Sequence, residues 1–148
     1  MEGQVTIHIN APAPDVFALV SDVTRMGEWS PETTGCEWVD GATGPALGAK
    51  FRGTNKLWFY KWSTTPTVTS FEPSRLFAFD AGGTVWTYSF TESNGGVSVT
   101  ESFRVISRLD VVYTVAQRRN SLIKGMQKTL ANLKQAAEAR RSGSASSA

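Results

Sequence analysis

One carboxyl group interrupts the apolar side of the stretch from Val97 to Ile106. Alternation sets Val97, Val99, Glu101, Phe103 and Val105 on one face, and Ser98, Thr100, Ser102 and Arg104 on the other. A carboxyl desolvated among such neighbours holds its proton more tightly, which makes Glu101 a candidate acid or base near neutral pH. In the preceding strand pattern, Val85 to Thr91, the residues Trp86, Tyr88 and Phe90 share a face. Tyr88 adds a phenolic proton able to polarise a carbonyl. Glu101 and Tyr88 are therefore the candidate catalytic residues. The pattern also fits a structural Glu101, ion-paired with Arg118 or Arg119, or turned outward by a bulge.

Asn55 lies in the alternating stretch Gly48 to Trp58, on the face of Phe51 and Gly53, opposite the charged face of Lys50, Arg52 and Lys56. Its amide can orient a ligand carbonyl or hydroxyl, or satisfy backbone groups at a strand irregularity. Phe51, Trp62, Trp86, Tyr88, Phe90 and Phe103 are the expected aromatic lining of a small-molecule site, with Leu122 and Met126 closing it from a helix. Core packing explains aromatic strand faces equally well. Glu32, just after Pro31, sits on a loop that could reach the cavity mouth, although a solvent-exposed loop carboxylate is the favoured reading.

Other chemistries lack their parts. The one histidine, His8, falls on the side of its strand opposite Val5, Ile7 and Ile9 and should face solvent, so neither a serine triad nor a histidine-based zinc site is expected. One cysteine, Cys36, allows no internal disulfide and no cysteine metal cluster. Gly82-Gly83 and Gly95-Gly96 are turn signals without a following helix, so no nucleotide cofactor is expected. Neither a metal nor a cofactor enters the expected function.

These side chains need a frame. The chain has 148 residues, 41% hydrophobic and 19% charged, which suits one globular domain, expected over residues 1–141 with a disordered Ser/Ala/Gly tail at 142–148. No apolar run is long enough to span a membrane, and the N-terminal residues lack a secretion pattern, so a cytoplasmic location is the default. The net charge of +2 reflects a basic C-terminal helix, read as a solvated face rather than a nucleic-acid surface. Val5 to Asn10 reads as the first strand, and Pro12 and Pro14 then open a short helix buried through Val16, Phe17, Leu19 and Val20. A second short helix from about Asp22 to Glu28 precedes Trp29, which is placed to plug the core. Strand patterns fill the chain to Ile106, including one from Trp62 to Phe71 that Pro66 marks as an edge or bulge. Asp110 to Ala139 is one amphipathic helix, with Val112, Val115, Leu122, Met126, Leu130, Leu133 and Ala137 on its stripe and Gly125 inside it. The fold expected is α+β: a curved antiparallel sheet of about seven strands wrapped around the long C-terminal helix, with two short helices after the first strand and a hollow between sheet and helix.

The segments Val16 to Asp22, Glu28 to Pro31, Gly48 to Asn55, Val99 to Ser102 and Gly125 to Lys134 resemble the polyketide cyclase/dehydrase-like branch of the SRPBCC superfamily, which also holds the START and birch-pollen-allergen groups. The resemblance spans about residues 3 to 139 and implies the helix-grip fold. It does not imply a reaction, because members include aromatase/cyclases, lipid carriers and hormone receptors. The function expected is binding of a hydrophobic small molecule (a polyketide-like aromatic, a lipid or a sterol-like compound) in the internal cavity. The alternative is a polyketide cyclase or dehydratase using a cavity carboxylate, and a third reading is a partner-binding protein using the basic helix face. Scarcity of catalytic side chains favours the first without deciding whether the chain is an enzyme. Oligomeric state is not encoded in any pattern seen here.

Overall fold

The protein is described by a computed structural model covering residues 2–106 and 112–146, with side chains from 118 to 139 in the second segment. Strand β1 (Glu2–Ile9) alternates between exposed and partly buried positions as far as Ile7; His8, expected to face solvent, is partly buried, and Ile9 is fully buried. Pro12 ends it and caps helix α1 (Ala13–Ser21), in whose first turn Pro14 sits. α1 buries Val16, Phe17, Leu19 and Val20, and the Ser21 hydroxyl donates to the Phe17 carbonyl at 2.8 Å. Asp22 accepts from the Thr24 amide at 3.2 Å and so caps a short 3₁₀ helix, Val23–Glu28. Trp29 is buried at its end, with the Arg25 guanidinium 5.4 Å from the ring centre.

Seven strands follow: β2 (Thr33–Val39), β3 (Lys50–Leu57), β4 (Tyr60–Thr64), β5 (Thr67–Glu72), β6 (Leu76–Ala81), β7 (Thr84–Ser93) and β8 (Gly96–Val105). All pair antiparallel in one sheet of order β1-β8-β7-β6-β5-β3-β2, with β4 also pairing β3. The sheet is curled and α2 (Val112–Ser146) is its C-terminal helix, so the helix-grip architecture holds. The stretch read as one strand from Trp62 to Phe71 is two. Pro66 cannot donate to the ladder, so β4 pairs with Gly53–Leu57, the Pro66 carbonyl accepts from the Phe51 amide, and β5 resumes at Thr67 opposite Lys50. The β7–β8 turn places Asn94 and Gly95 at φ of 51° and 76°, the pair of left-handed residues that a tight two-residue hairpin requires.

The expected helix start at Asp110 and Val111 lies outside the described residues, as do the side chains of Val112 and Val115. Leu122, Met126, Leu130, Leu133 and Ala137 face inward as their spacing requires. The helical backbone continues to Ser146. No proline stops it there, and Gly143 alone costs only about 1 kcal/mol. Arg119 donates to the Glu2 carbonyl at 2.9 Å and Lys134 to the His8 carbonyl at 2.9 Å, which ties α2 along β1. The described residues contain no helix long and apolar enough to cross a membrane.

The core forms two clusters. Under α1, Phe17 packs against Phe71, Phe77 and Phe90, and Phe51 packs edge-on against Phe79 and Trp38. Phe103, Leu122 and Met126 form the second cluster, between β8 and α2.

Candidate functional site

Between these clusters the sheet and α2 do not meet. A cavity of about 280 Å³ lies there, walled by Phe51, Phe79, Trp62 and Trp86 from the strands and by Leu122, Gly125 and Met126 from the helix. That volume is near the lower end of small-molecule sites.

Glu101 forms part of this wall and is 3% exposed. Tyr88 stands directly opposite on β7 and donates from its hydroxyl to Oε1 at 2.8 Å. Oε2 is buried and has no hydrogen-bond partner among the described residues. Burial pushes the Glu101 carboxyl up to about 8, against the opposing effect of the Tyr88 hydrogen bond. Burial first, and then the neighbouring carboxyl, raise the Tyr88 phenol well above its ordinary value. At neutral pH the pair is a protonated acid held by a neutral phenol. With Tyr88 donating to Oε1, the acid proton belongs on Oε2.

A second polar feature closes one side. The loop Ser30-Pro31-Glu32-Thr33 lines the cavity opposite Arg118, Ser121 and Gly125 of α2. Arg118 grips Glu32 with both terminal nitrogens, at 2.7 and 3.1 Å, and Asn132 donates to the Trp29 carbonyl at 3.0 Å. A planar guanidinium against a carboxylate fixes the direction of the loop as well as its distance.

The family model described as "Polyketide cyclase / dehydrase and lipid transport" matches residues 2–138. The chain belongs to this family. A Polyketide_cyc-like protein from Corynebacterium glutamicum is 32% identical, with 94% of this chain and 92% of that one covered and a TM-score of 0.68. Two more distant structures share the fold. The di-domain ARO/CYC BexL from the BE-7585A biosynthetic pathway is 16% identical with a TM-score of 0.75, and the match covers 93% of this chain but 50% of BexL. Major latex-like protein 151 from Panax ginseng is 10% identical with a TM-score of 0.73, covering 93% and 97% of the two chains. No curated protein matches the chain.

Within this family member, eight of the ten residues singled out from the sequence line the cavity: Phe51, Asn55, Trp62, Trp86, Tyr88, Glu101, Leu122 and Met126. Phe90 and Phe103 do not. Phe90 shares a face with Tyr88 but lies two residues nearer the Asn94-Gly95 turn, where α1 covers the sheet and Phe17 meets its ring at 5.3 Å. Phe103 is covered by Trp86, at 5.6 Å, and by the α2 cluster. Tyr88 directs its proton at Glu101 rather than offering it freely. Asn55 carries an Oδ1 that accepts from Thr33 at 3.3 Å, linking β3 to the loop.

Sequence reasoning raised Glu32 as a residue at the cavity mouth but missed its partner. Glu32 is no free loop carboxylate but the partner of Arg118, and Arg118 pairs with it rather than with Glu101. The two lie 86 positions apart, and no local pattern joins them. Met26, Cys36 and Phe79 were also missed. Phe79 had a signal, since Phe77 and Phe79 alternate within β6. Burial pushes the Cys36 thiol up to about 11, so it is no ready nucleophile. Among the described residues no three His, Cys, Asp or Glu side chains are grouped to hold a metal ion.

Proposed function

We propose that the chain binds a small, mostly apolar molecule in the cavity between sheet and α2, a polyketide-like aromatic being the best match. One observation carries the reading: Glu101 is buried in an apolar wall with one oxygen fixed by Tyr88 and the other without a partner among the described residues. A native protein rarely leaves such an atom unsatisfied, because an unmade buried hydrogen bond costs about 1–3 kcal/mol. A guest with a carbonyl or hydroxyl oxygen would accept the Oε2 proton while its rings cover Trp62 and Trp86. Size narrows the class. The space is nearly twice the roughly 150 Å³ that encloses benzene, so one or two fused rings fit, whereas a sterol or a whole acyl chain requires the walls to part. The family description and the ARO/CYC relative support a guest of this chemistry.

Native mass spectrometry of freshly purified protein should find a co-purified aromatic of low mass. Titration with a hydroxylated naphthalene ketone should then give binding that Glu101→Leu weakens about ten-fold. Equal affinity in the variant, or no binding of any one- or two-ring compound, overturns the reading.

A second reading is favoured by the Glu101 acidity, since a group that titrates near about 8 is suited to move protons both ways. As a dehydratase, its carboxylate would take the proton next to a substrate carbonyl. It would return that proton to the departing β-hydroxyl, so that water leaves and a double bond forms. Turnover with a pH profile that vanishes in Glu101→Gln separates this from simple binding.

A further inference from the structure

The β3–β4 hairpin ends in four consecutive large apolar side chains, all of them exposed among the described residues. Leu57, Trp58, Phe59 and Tyr60 are 40%, 83%, 91% and 67% exposed. Burial of one such residue is what folding ordinarily favours, and a finger of four is a feature of contact surfaces. The turn itself is chemically odd. Trp58 occupies a left-handed φ of 56°, a conformation costly for a bulky side chain. The β7–β8 turn holds both Asn94 and Gly95 left-handed, whereas here Trp58 alone is, at the first turn position, where such a turn favours glycine. Trp58-Phe59 is thus a poor choice for folding and a good one for exposing aromatic area.

Just behind the tip, Lys56 and Lys61 face each other directly across the ladder. Like charges in that position repel unless something anionic meets them. The hairpin therefore presents an aromatic end with a cationic collar. Two such tips would repel each other through their collars, which disfavours a second copy of this chain. A convex finger of Trp, Phe and Tyr above lysines has the composition of side chains that settle at the headgroup level of a bilayer, with the ammonium groups on anionic lipid.

We infer that the Leu57–Tyr60 hairpin tip docks the protein reversibly onto an anionic lipid surface. The site stands apart from any guest in the cavity, although Tyr60 stacks 5.5 Å from Trp62 of the cavity wall and makes the apolar surface continuous between them. The docking is peripheral and uses side chains alone.

The test is flotation of the full chain with vesicles of phosphatidylcholine, with and without phosphatidylserine. Binding should require phosphatidylserine, and Lys56→Glu with Lys61→Glu should lower partitioning by at least about five-fold for each lysine. The double variant Trp58→Gly, Phe59→Asn places glycine at the left-handed position, so it should melt at the same or a higher temperature while losing vesicle binding. Wild-type protein that ignores both vesicle types overturns the inference. So does vesicle binding that survives Trp58→Gly, Phe59→Asn, or a concentration-dependent dimer that buries the tip in the absence of vesicles.

Discussion

Tyr88 and Glu101 stand opposite each other on β7 and β8, and the phenol donates to the carboxyl at 2.8 Å across the ladder. The contact is short-range in space and set by register. Ser93 pairs with Gly96 at the turn, so every pair behind it is fixed, and the fifth pair back is Tyr88 with Glu101. The turn thus selects which phenol supports the buried acid.

Replacing the acid by its neutral isostere in Glu101→Gln should abolish one component of the pH dependence of stability. The folded carboxyl titrates near about 8 and the unfolded one near 4.5. Below 4.5 both states hold the proton. Between the two values the unfolded chain releases it and the folded chain does not, so stability falls as pH rises; above about 8 the loss is complete. The loss is on the order of 5 kcal/mol. Urea midpoints at about pH 5 and about pH 9 should diverge in the wild type and converge in the variant. Equal divergence in both would place the titrating group elsewhere.

Tyr88→Phe removes the one hydrogen bond that opposes the effect of burial. The Glu101 titration should then move above about 8, and stability at neutral pH should fall by roughly 1–3 kcal/mol because Oε1 loses its partner. The Glu101 side-chain carbonyl shift in NMR reads the titration directly. A midpoint unchanged or lowered means that the phenol does not hold the carboxyl in solution.

Much of this site could be read before any coordinates, and the reason is local. Period-two alternation in Val85–Thr91 and Val97–Ile106 chose the faces, while Asn94-Gly95 chose the register. What could not be read depends on where elements dock. Phe90 and Phe103 have the right parity to reach the cavity, yet α1 and α2 cover them, and coverage is a property of neighbouring elements rather than of the strand. Glu32 and Arg118 meet only because the loop after the 3₁₀ helix is laid against α2. Pro66 announced an interruption, but its geometry (one edge of β3 shared by β4 and β5) follows from the curl of the sheet.

Gly125 is open to a direct experiment because it sits in a helix interior with space beside it. Among the described residues a Cβ there would meet only the Pro31 ring, at an ordinary 3.9 Å. Gly125→Ala should therefore raise stability by about 1 kcal/mol through helix propensity alone. Gly125→Leu should instead project into the cavity it lines and exclude a guest while the fold persists. Chemical denaturation measures the first effect and ligand titration the second. Destabilisation by alanine would mean that loop and helix approach more closely than the 3.9 Å separation.

The Glu32–Arg118 pair should matter more for exchange than for stability. Both side chains remain partly exposed, at 23% and 37%, so water and salt screen them, and a pair of this kind contributes about 0.2–1 kcal/mol. Glu32→Gln should thus lower stability only slightly. It should also free the loop from α2 on the side where Ser30, Pro31 and Thr33 line the cavity, so a guest should dissociate several-fold faster at nearly unchanged melting temperature. Stopped-flow displacement of a fluorescent guest reads the rate. The double exchange Glu32→Arg, Arg118→Glu restores opposite charges and should recover slow release, whereas either single exchange places like charges together and should not. Rapid release from the double exchange as well would show that the loop is held by Asn132 and Trp29, with the ion pair a bystander.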